Sequence, residues 1–388
     1  MARSDARRRT IRHSTTPGTR PGSTGRSRRH GAQLLRGTAA VAVGTLALTA
    51  CSVTGSSDDA ASGGSTDGSG GTVTLVTHDS FHLGDGLLEQ FEKDTGLTVE
   101  QVAPGDGGAL VNQLVLTKDD PLGDVVFGID NTFASRAIDE GVLDPYTSQV
   151  PAAADAAQYA PDDSGSLTAI DMGDVCLNVD HTWFAEHEIA EPTSLEYLTD
   201  PTYADLTVVT NAATSSPGLA FLLATIGAFG EDGWQDYWTA LQANGLKVAE
   251  GWSDAYYTDF SGGGGGGPRP IALSYASSPP ETIPEGGTEP TTGALLDTCF
   301  RQVEYAGVIA GAANPTGAQQ LVDFLLSDAV QADIPGSMYM YPVSTAVDLP
   351  ESWAQWAPLS DAPFEVPGDE IAADRDEWVR TWTDLVTS

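Results

Sequence analysis

The sequence predicts an α/β protein of two lobes, each a mostly parallel sheet flanked by helices. Three observations carry this. Strand-like and helix-like segments alternate in two separate stretches, and a β-α-β-α-β order favours parallel strands joined by crossover helices. Forty per cent of the 388 residues are hydrophobic, and eight Trp, eleven Tyr and eleven Phe suffice for a large core. The length beyond the basic leader suits two domains or lobes rather than one.

In the first stretch, Val73–Val76 is an apolar run suited to a buried strand. Leu87, Leu88 and Phe91 share one face of a helix over Gly86–Lys93, and Gly96 suits its C-cap. Thr98–Val102 alternates as a strand does. Leu110, Val111, Leu114 and Val115 fall at helical spacing in Gly108–Thr117. Asp124–Ile129 is a third strand, followed by a helix near Thr132–Glu140. The second stretch repeats the order. Strands are expected at Leu206–Val209, Leu246–Ala249 and Ile271–Ser274, and helices at Pro217–Ala228, Trp234–Ala243 and Trp252–Phe260. A strand near Val303–Ile309 and a helix at Gly317–Leu326 follow.

Charge divides the chain sharply. Residues 1–50 contain ten Arg and one acid, a formal +9, whereas residues 51–388 contain eight bases and 53 acids, a formal −45. A body this acidic is repelled by nucleic acid, which excludes that partner. The body holds no run of eighteen apolar residues, so no spanning helix is expected there. The uncharged stretch Gly37–Ala50 behind the arginines reads as the apolar region of a signal peptide, residues 1–50. Leu48-Thr49-Ala50-Cys51 resembles a bacterial lipobox, which makes Cys51 a lipidation site; an ordinary secretory signal is the other reading. Residues 51–71 then form a flexible Gly/Ser/Asp tether with a reach of roughly 25 Å. Cys176 and Cys299 remain. In an exported protein an even pair is most simply a disulfide, with two buried thiols as the alternative.

No motif for catalysis survives: G-x-S-x-G, H-E-x-x-H and the Walker loop are absent, and Gly105–Gly108 lacks dinucleotide-binding spacing. Gly262–Gly267 reads as a flexible loop. His78 and His82 with Asp79 flank a loop rather than a helix, which favours solvated or ligand-facing histidines over metal ligands. Two α/β units in an exported, tethered chain suggest a two-lobed binding protein with its ligand at the carboxyl ends of strands. Trp252 and Tyr256 are four apart on one helical face, and Tyr275 closes the strand IALSY. Such rings either stack on a heteroaromatic cation or fill the core, the core being favoured for Tyr256. Asp106, in a Gly-rich loop, and Asp130-Asn131, after a strand, suit an amino-heterocycle or a ring cation, or are simple turn formers. Ser215 and Ser216 precede an apolar helix, as a cap or as an anion site.

Thr77-His78-Asp79-Ser80-Phe81, Gly128-Ile129-Asp130-Asn131, Ser215-Ser216-Pro217-Gly218, Gly251-Trp252-Ser253-Asp254-Ala255-Tyr256, Leu273-Ser274-Tyr275 with Ser278-Pro279, and Met340-Tyr341-Pro342-Val343 occur in order. Together they resemble the thiamine-binding proteins of thiamine ABC transporters from about Val73 onward. The resemblance implies a type II periplasmic-binding-protein fold closing on thiamine or its phosphates, without a cofactor or bound metal. Lobe one spans 72–165 and 300–345, lobe two 170–297, and 346–388 packs back on the lobes. It further implies that Asp106 contacts the ligand, that Ser215 belongs to the phosphate end, and that Trp252 and Tyr275 are aromatic contacts. Tyr339 stands where the family pattern has Trp, and His78 where Tyr occurs. Glu281 replaces an aromatic, and a Trp expected near Gly84 is absent. The implied partners are a membrane permease with its cytoplasmic ATPase, served by a monomer lipid-anchored outside the cytoplasm. The same scaffold loaded with a polyamine, an aminophosphonate or a metal ion is the alternative, and a secreted hydrolase using paired acids is a third reading.

Overall fold

A computed structural model describes residues 71–387; the leader, Cys51 and the tether up to residue 70 lie outside the described residues. The strands are β1 (Gly71–Thr77), β2 (Leu97–Val102), β3 (Val125–Asp130), β4 (Leu143–Asp144), β5 (Thr168–Asp180), β6 (Thr207–Thr210), β7 (Lys247–Ala249), β8 (Ile271–Tyr275), β9 (Thr292–Ile309) and β10 (Tyr341–Pro342). They form one hydrogen-bonded sheet in the order β2-β1-β3-β9-β5-β8-β6-β7, with β4 added to β9 and β10 to β5.

The two expected α/β stretches sit at the ends of this sheet. β1 pairs in parallel with β2 and β3, and β6 pairs in parallel with β7 and β8. Every residue of β3 is buried, as a strand covered on both faces requires. Between the parallel sets run two long antiparallel strands, the thirteen-residue β5 and the eighteen-residue β9. They pair with each other and reach outward to β8 and β3. They make one sheet of what the sequence presented as two.

β5 was absent from the sequence reading, and β9 was found only over its second half. The acids of β5 hide its pattern. Asp174 is fully buried because it grips Arg301 of β9, Nε to Oδ1 at 2.5 Å and Nη2 to Oδ2 at 3.0 Å, and also accepts the Ser360 N–H at 2.7 Å. Cys176 and Cys299 are joined by a disulfide that links β5 to β9, as expected for an exported chain, at the irregularity in their pairing between Val175 and Leu177.

Helices cover the sheet where the apolar spacing placed them. Leu87–Thr95 buries Phe91 and ends at Gly96, whose φ of 73° is the left-handed cap that glycine supplies. The two helices expected at 217–228 and 234–243 form one element, Ser216–Ala243, broken at Gly230 where φ is 69°. A helix that the spacing did not announce, Gly368–Thr387 in the C-terminal segment, lays Ile371, Trp378 and Trp382 inward; Trp382 meets Trp238 edge-on at 5.5 Å. Among the described residues, no helix is long and apolar enough to cross a membrane.

Candidate functional site

A cleft of about 260 Å³ opens where the loops after β1 and β2, the start of helix Ser216–Ala243, the segment after β7 and residues 337–340 converge over β8 and β9. Its chemistry comes from a carboxylate at the rim, a carboxyl on the floor, and aromatic walls.

Asp106 caps the helix Gly107–Leu116 and accepts the Gly107 N–H at 2.6 Å. Its carboxylate also accepts N–H groups from the opposite side of the cleft, Ser216 at 3.1 Å and Trp252 at 3.0 Å. Burial raises this carboxyl above its ordinary value, while the donations from Trp252, Gly107 and Ser216 pull it down. Close approach is possible because residue 107 is glycine: a Cβ there would strike Ser216 Oγ. Two further contacts cross the same gap, Ala109 N–H to Thr214 O at 2.9 Å and Ser80 Oγ to Ser253 Oγ at 3.1 Å.

The aromatic wall begins at Trp252. Its indole N–H donates to Ser274 Oγ at 3.0 Å, and its ring stacks on Tyr256 at 5.1 Å and meets Tyr257 edge-on at 5.3 Å. The Trp252–Tyr256 stack joins the residue two before a π-helical turn, Asp254–Asp259, to one within it. Tyr256 is 5% exposed and belongs to a cluster with Val208, Phe260 and Ala272, whereas Trp252 lines the cleft. Tyr275, at the end of β8, donates its hydroxyl to Gln302 Oε1 at 3.3 Å. Tyr339 completes the wall with φ at 58°, a left-handed backbone that costs a non-glycine residue roughly 1–3 kcal/mol. The Ser277 hydroxyl, bonded to Tyr339 O, helps to hold it there.

The floor is Glu304 of β9. It faces Asp171 in the β5–β9 register, and its Oε1 lies 3.7 Å from His78 Nε2 and accepts Gln302 Nε2 at 3.2 Å. Neither oxygen of Asp171 meets a hydrogen-bond donor, and the residue is fully buried. Burial pushes Asp171 up to about 8; burial, then the neighbouring Asp171 charge, pushes Glu304 well above the ordinary range. His78 follows β1, tilts against Phe127 at 5.6 Å, and accepts the Ser80 N–H on Nδ1 at 3.2 Å. Gly128, with φ at 99°, leaves it room, since a Cβ there would strike the imidazole.

The remaining expected residues lie elsewhere. Ser215 is fully buried as a helix cap, its hydroxyl donating to Thr210 Oγ at 3.0 Å and accepting the Gly218 N–H at 3.4 Å; Ser216 and Pro217 line the cleft instead. Asp130 is fully buried and turns inward to accept the Thr132 hydroxyl at 2.7 Å and the Thr132 and Phe133 N–H groups at 3.1 Å. Burial pushes it up to about 6. Asn131 bonds the backbone of β9 at Arg301 O and Val303 N. Glu281 lines an adjoining hollow with Tyr256 rather than the cleft itself. Glu304, Tyr257, Ser253 and Met340 also line the cleft without having been expected as ligand contacts, and His82 lines it as one of the two histidines expected to face solvent or ligand. The signal for Glu304 was a lone acid in the apolar run Val303–Ile309.

These carboxyls fix the sign of a pH effect. The folded chain holds the Asp171 proton more tightly than an unfolded chain, whose carboxyl titrates near 3.8. The stabilisation is complete below that value and is lost as pH rises towards about 8. The ligand-free protein is therefore expected to melt higher at pH 5 than at pH 8. Asp171→Asn should flatten that difference in thermal melts; an unchanged slope would contradict it.

An open pocket walled by aromatics and floored by a carboxyl, at the ends of strands in an α/β sheet, defines a solute-binding site. A family model described as bacterial extracellular solute-binding protein matches residues 120–374, and the chain belongs to that family. The thiamine-binding periplasmic protein of Escherichia coli (strain K12) is 28% identical over 321 residues, covering 81% of this chain and 93% of that protein. The protein of the same name from Brucella suis biovar 1 (strain 1330) is 29% identical over 323 residues, covering 80% and 91%. A solved periplasmic thiamin binding protein superposes with a TM-score of 0.71 at 28% identity, covering 82% of this chain and 96% of that one.

Proposed function

We propose that the protein captures thiamine or a thiamine phosphate outside the cytoplasm and hands it to a membrane permease driven by a cytoplasmic ATPase, making and breaking no bond itself. The observation that carries this reading is the cleft: Trp252, Tyr257, Tyr275 and Tyr339 surround a carboxyl floor, which suits a flat ligand bearing a ring cation. The relatives' printed names supply the particular cation.

Residues 72–165 with 300–345 act as one lobe and 170–297 as the other, with 346–388 packed against them. Closure brings the Asp106 carboxylate onto the N–H groups of Ser216 and Trp252, and β5 and β9 carry the bend. Asp106 spends its lone pairs on these backbone donors, so its part in recognition is to hold the walls together around the ligand. A monomer tethered through lipidated Cys51 keeps this cleft near the permease.

A ligand that binds only the folded state raises its melting point, by about 4 kcal/mol of stabilisation at a thousandfold excess over Kd. A thermal-shift screen with thiamine, its mono- and diphosphate, spermidine and a divalent cation tests the reading. Thiamine or its phosphates should give the largest rise; a rise with spermidine or the metal alone would overturn it. Trp252→Ala removes one π face and the N–H to Ser274. It is expected to weaken thiamine binding about 10- to 100-fold, from roughly 0.5–2 kcal/mol of cation–π energy plus lost packing. Fluorescence titration of the variant checks this, and an unchanged Kd would contradict it.

A further inference from the structure

The floor of the cleft contains a charge problem that its own residues leave open. Glu304 and Asp171 face each other on β9 and β5, one at the cleft surface and one behind it. The groups turned towards Glu304 are Asp171 from β5, His78 after β1, Asp130 at the end of β3, Tyr275 from β8 and Gln302 on its own strand. Three are acids or a phenol, one is an amide, and His78 is the one basic group among them. His78 accepts the Ser80 N–H on Nδ1, so its ring hydrogen sits on Nε2, towards Glu304 but 3.7 Å away. At that distance His78 Nε2 makes no hydrogen bond to the pair. Two bare charges so close, with Asp171 lacking any donor, are too costly to bury.

We propose that Glu304, backed by Asp171, reads the charge of the ligand: each carboxyl keeps its proton in the ligand-free protein, and Glu304 alone surrenders its proton to solvent when a permanently cationic ring is seated on it. Capture is then an exchange of one proton for one cation. A quaternary ring nitrogen has no hydrogen to donate, so it gains nothing from a neutral carboxyl and much from an ionised one inside a water-poor cleft. A neutral ring of the same shape gains little from ionisation and leaves the proton where it is. The floor therefore selects cationic rings while staying uncharged when unoccupied. The inference rests on the cationic-ligand reading above and names the residue that enforces it.

Calorimetric titration with thiamine, in buffers of differing ionisation enthalpy between pH 6 and pH 8, counts the protons. Close to one proton should leave per thiamine bound at pH 6, with affinity rising up to tenfold per pH unit until the free pair ionises. An analogue whose thiazolium is replaced by an uncharged ring should release none. Glu304→Gln keeps the shape of the protonated floor. It should abolish the release and lower the ratio of thiamine affinity to neutral-analogue affinity at least tenfold. Asp171→Asn removes the second carboxyl and should shift the pH at which affinity levels off downward by a unit or more. Thiamine binding with no proton released and no dependence on pH overturns the proposal alone. So does an affinity ratio unchanged in Glu304→Gln. No heat with thiamine at any pH removes the ligand reading and the proposal with it.

Discussion

Asp106→Ala is expected to weaken thiamine binding by about 100- to 1000-fold. The carboxylate accepts three backbone N–H groups, and two of them, from Ser216 and Trp252, lie across the cleft. Hydrogen bonds to a charged group contribute roughly 1.5–3 kcal/mol each, and an orphaned buried donor costs a similar amount. Losing both cross-cleft bonds therefore disfavours closure by about 3–4 kcal/mol, and apparent affinity falls with the closed fraction. Asp106→Asn retains one acceptor oxygen and should fall between the variant and the parent. Isothermal titration of both measures the effect. A Kd within threefold of the parent for Asp106→Ala would show that closure does not depend on this carboxylate.

Loss of the Cys176–Cys299 bond is expected to be the largest single change in stability. The two cysteines are 123 residues apart, and both are fully buried where β5 meets β9. In the chain-entropy picture, a loop of that length loses about 4–5 kcal/mol of cross-link stabilisation when opened. For a chain of this size that is a fall of roughly 5–15 °C in Tm. The bond also braces the two strands that run beneath the cleft, so its loss loosens the frame that holds Glu304 against Asp171. Thermal melts of Cys176→Ser/Cys299→Ser, beside the reduced parent, read the effect. A double variant melting with the oxidised parent would contradict it.

Local spacing made most of the outer fold legible. Phe91 with Leu87 and Leu88, then the Gly96 cap, marked a helix end that the structure reproduces. The interruption between the two expected helices at 217–243 is the break at Gly230. What local pattern could not show was the centre. β5 reads Thr-Ala-Ile-Asp-Met-Gly-Asp, and its acids become tolerable only through distant partners: Arg301 and the Ser360 N–H for Asp174, and a retained proton for Asp171. The same holds for the site. Trp252, Tyr275, Tyr339, His78, Asp106 and Ser216 gather at one cleft. Asp130, Asn131 and Ser215 have the right chemistry but spend it on a local turn, on the backbone of β9 and on a helix cap respectively. Nothing in their neighbours along the chain distinguishes these uses, because capping and ligand recognition call for the same oxygens at the same loop ends. Glu304 is the reverse case: a charged residue in an apolar strand, whose meaning appears only when Asp171 and His78 are brought to it.

The most direct test of the account is a titration of the protein with thiamine and, separately, with its mono- and diphosphate. The account predicts a saturable one-to-one isotherm for thiamine or one of its phosphates with Kd below micromolar, lost or severely weakened in Trp252→Ala and Asp106→Ala. Flat traces for all three ligands, from a protein that melts cooperatively, would contradict it.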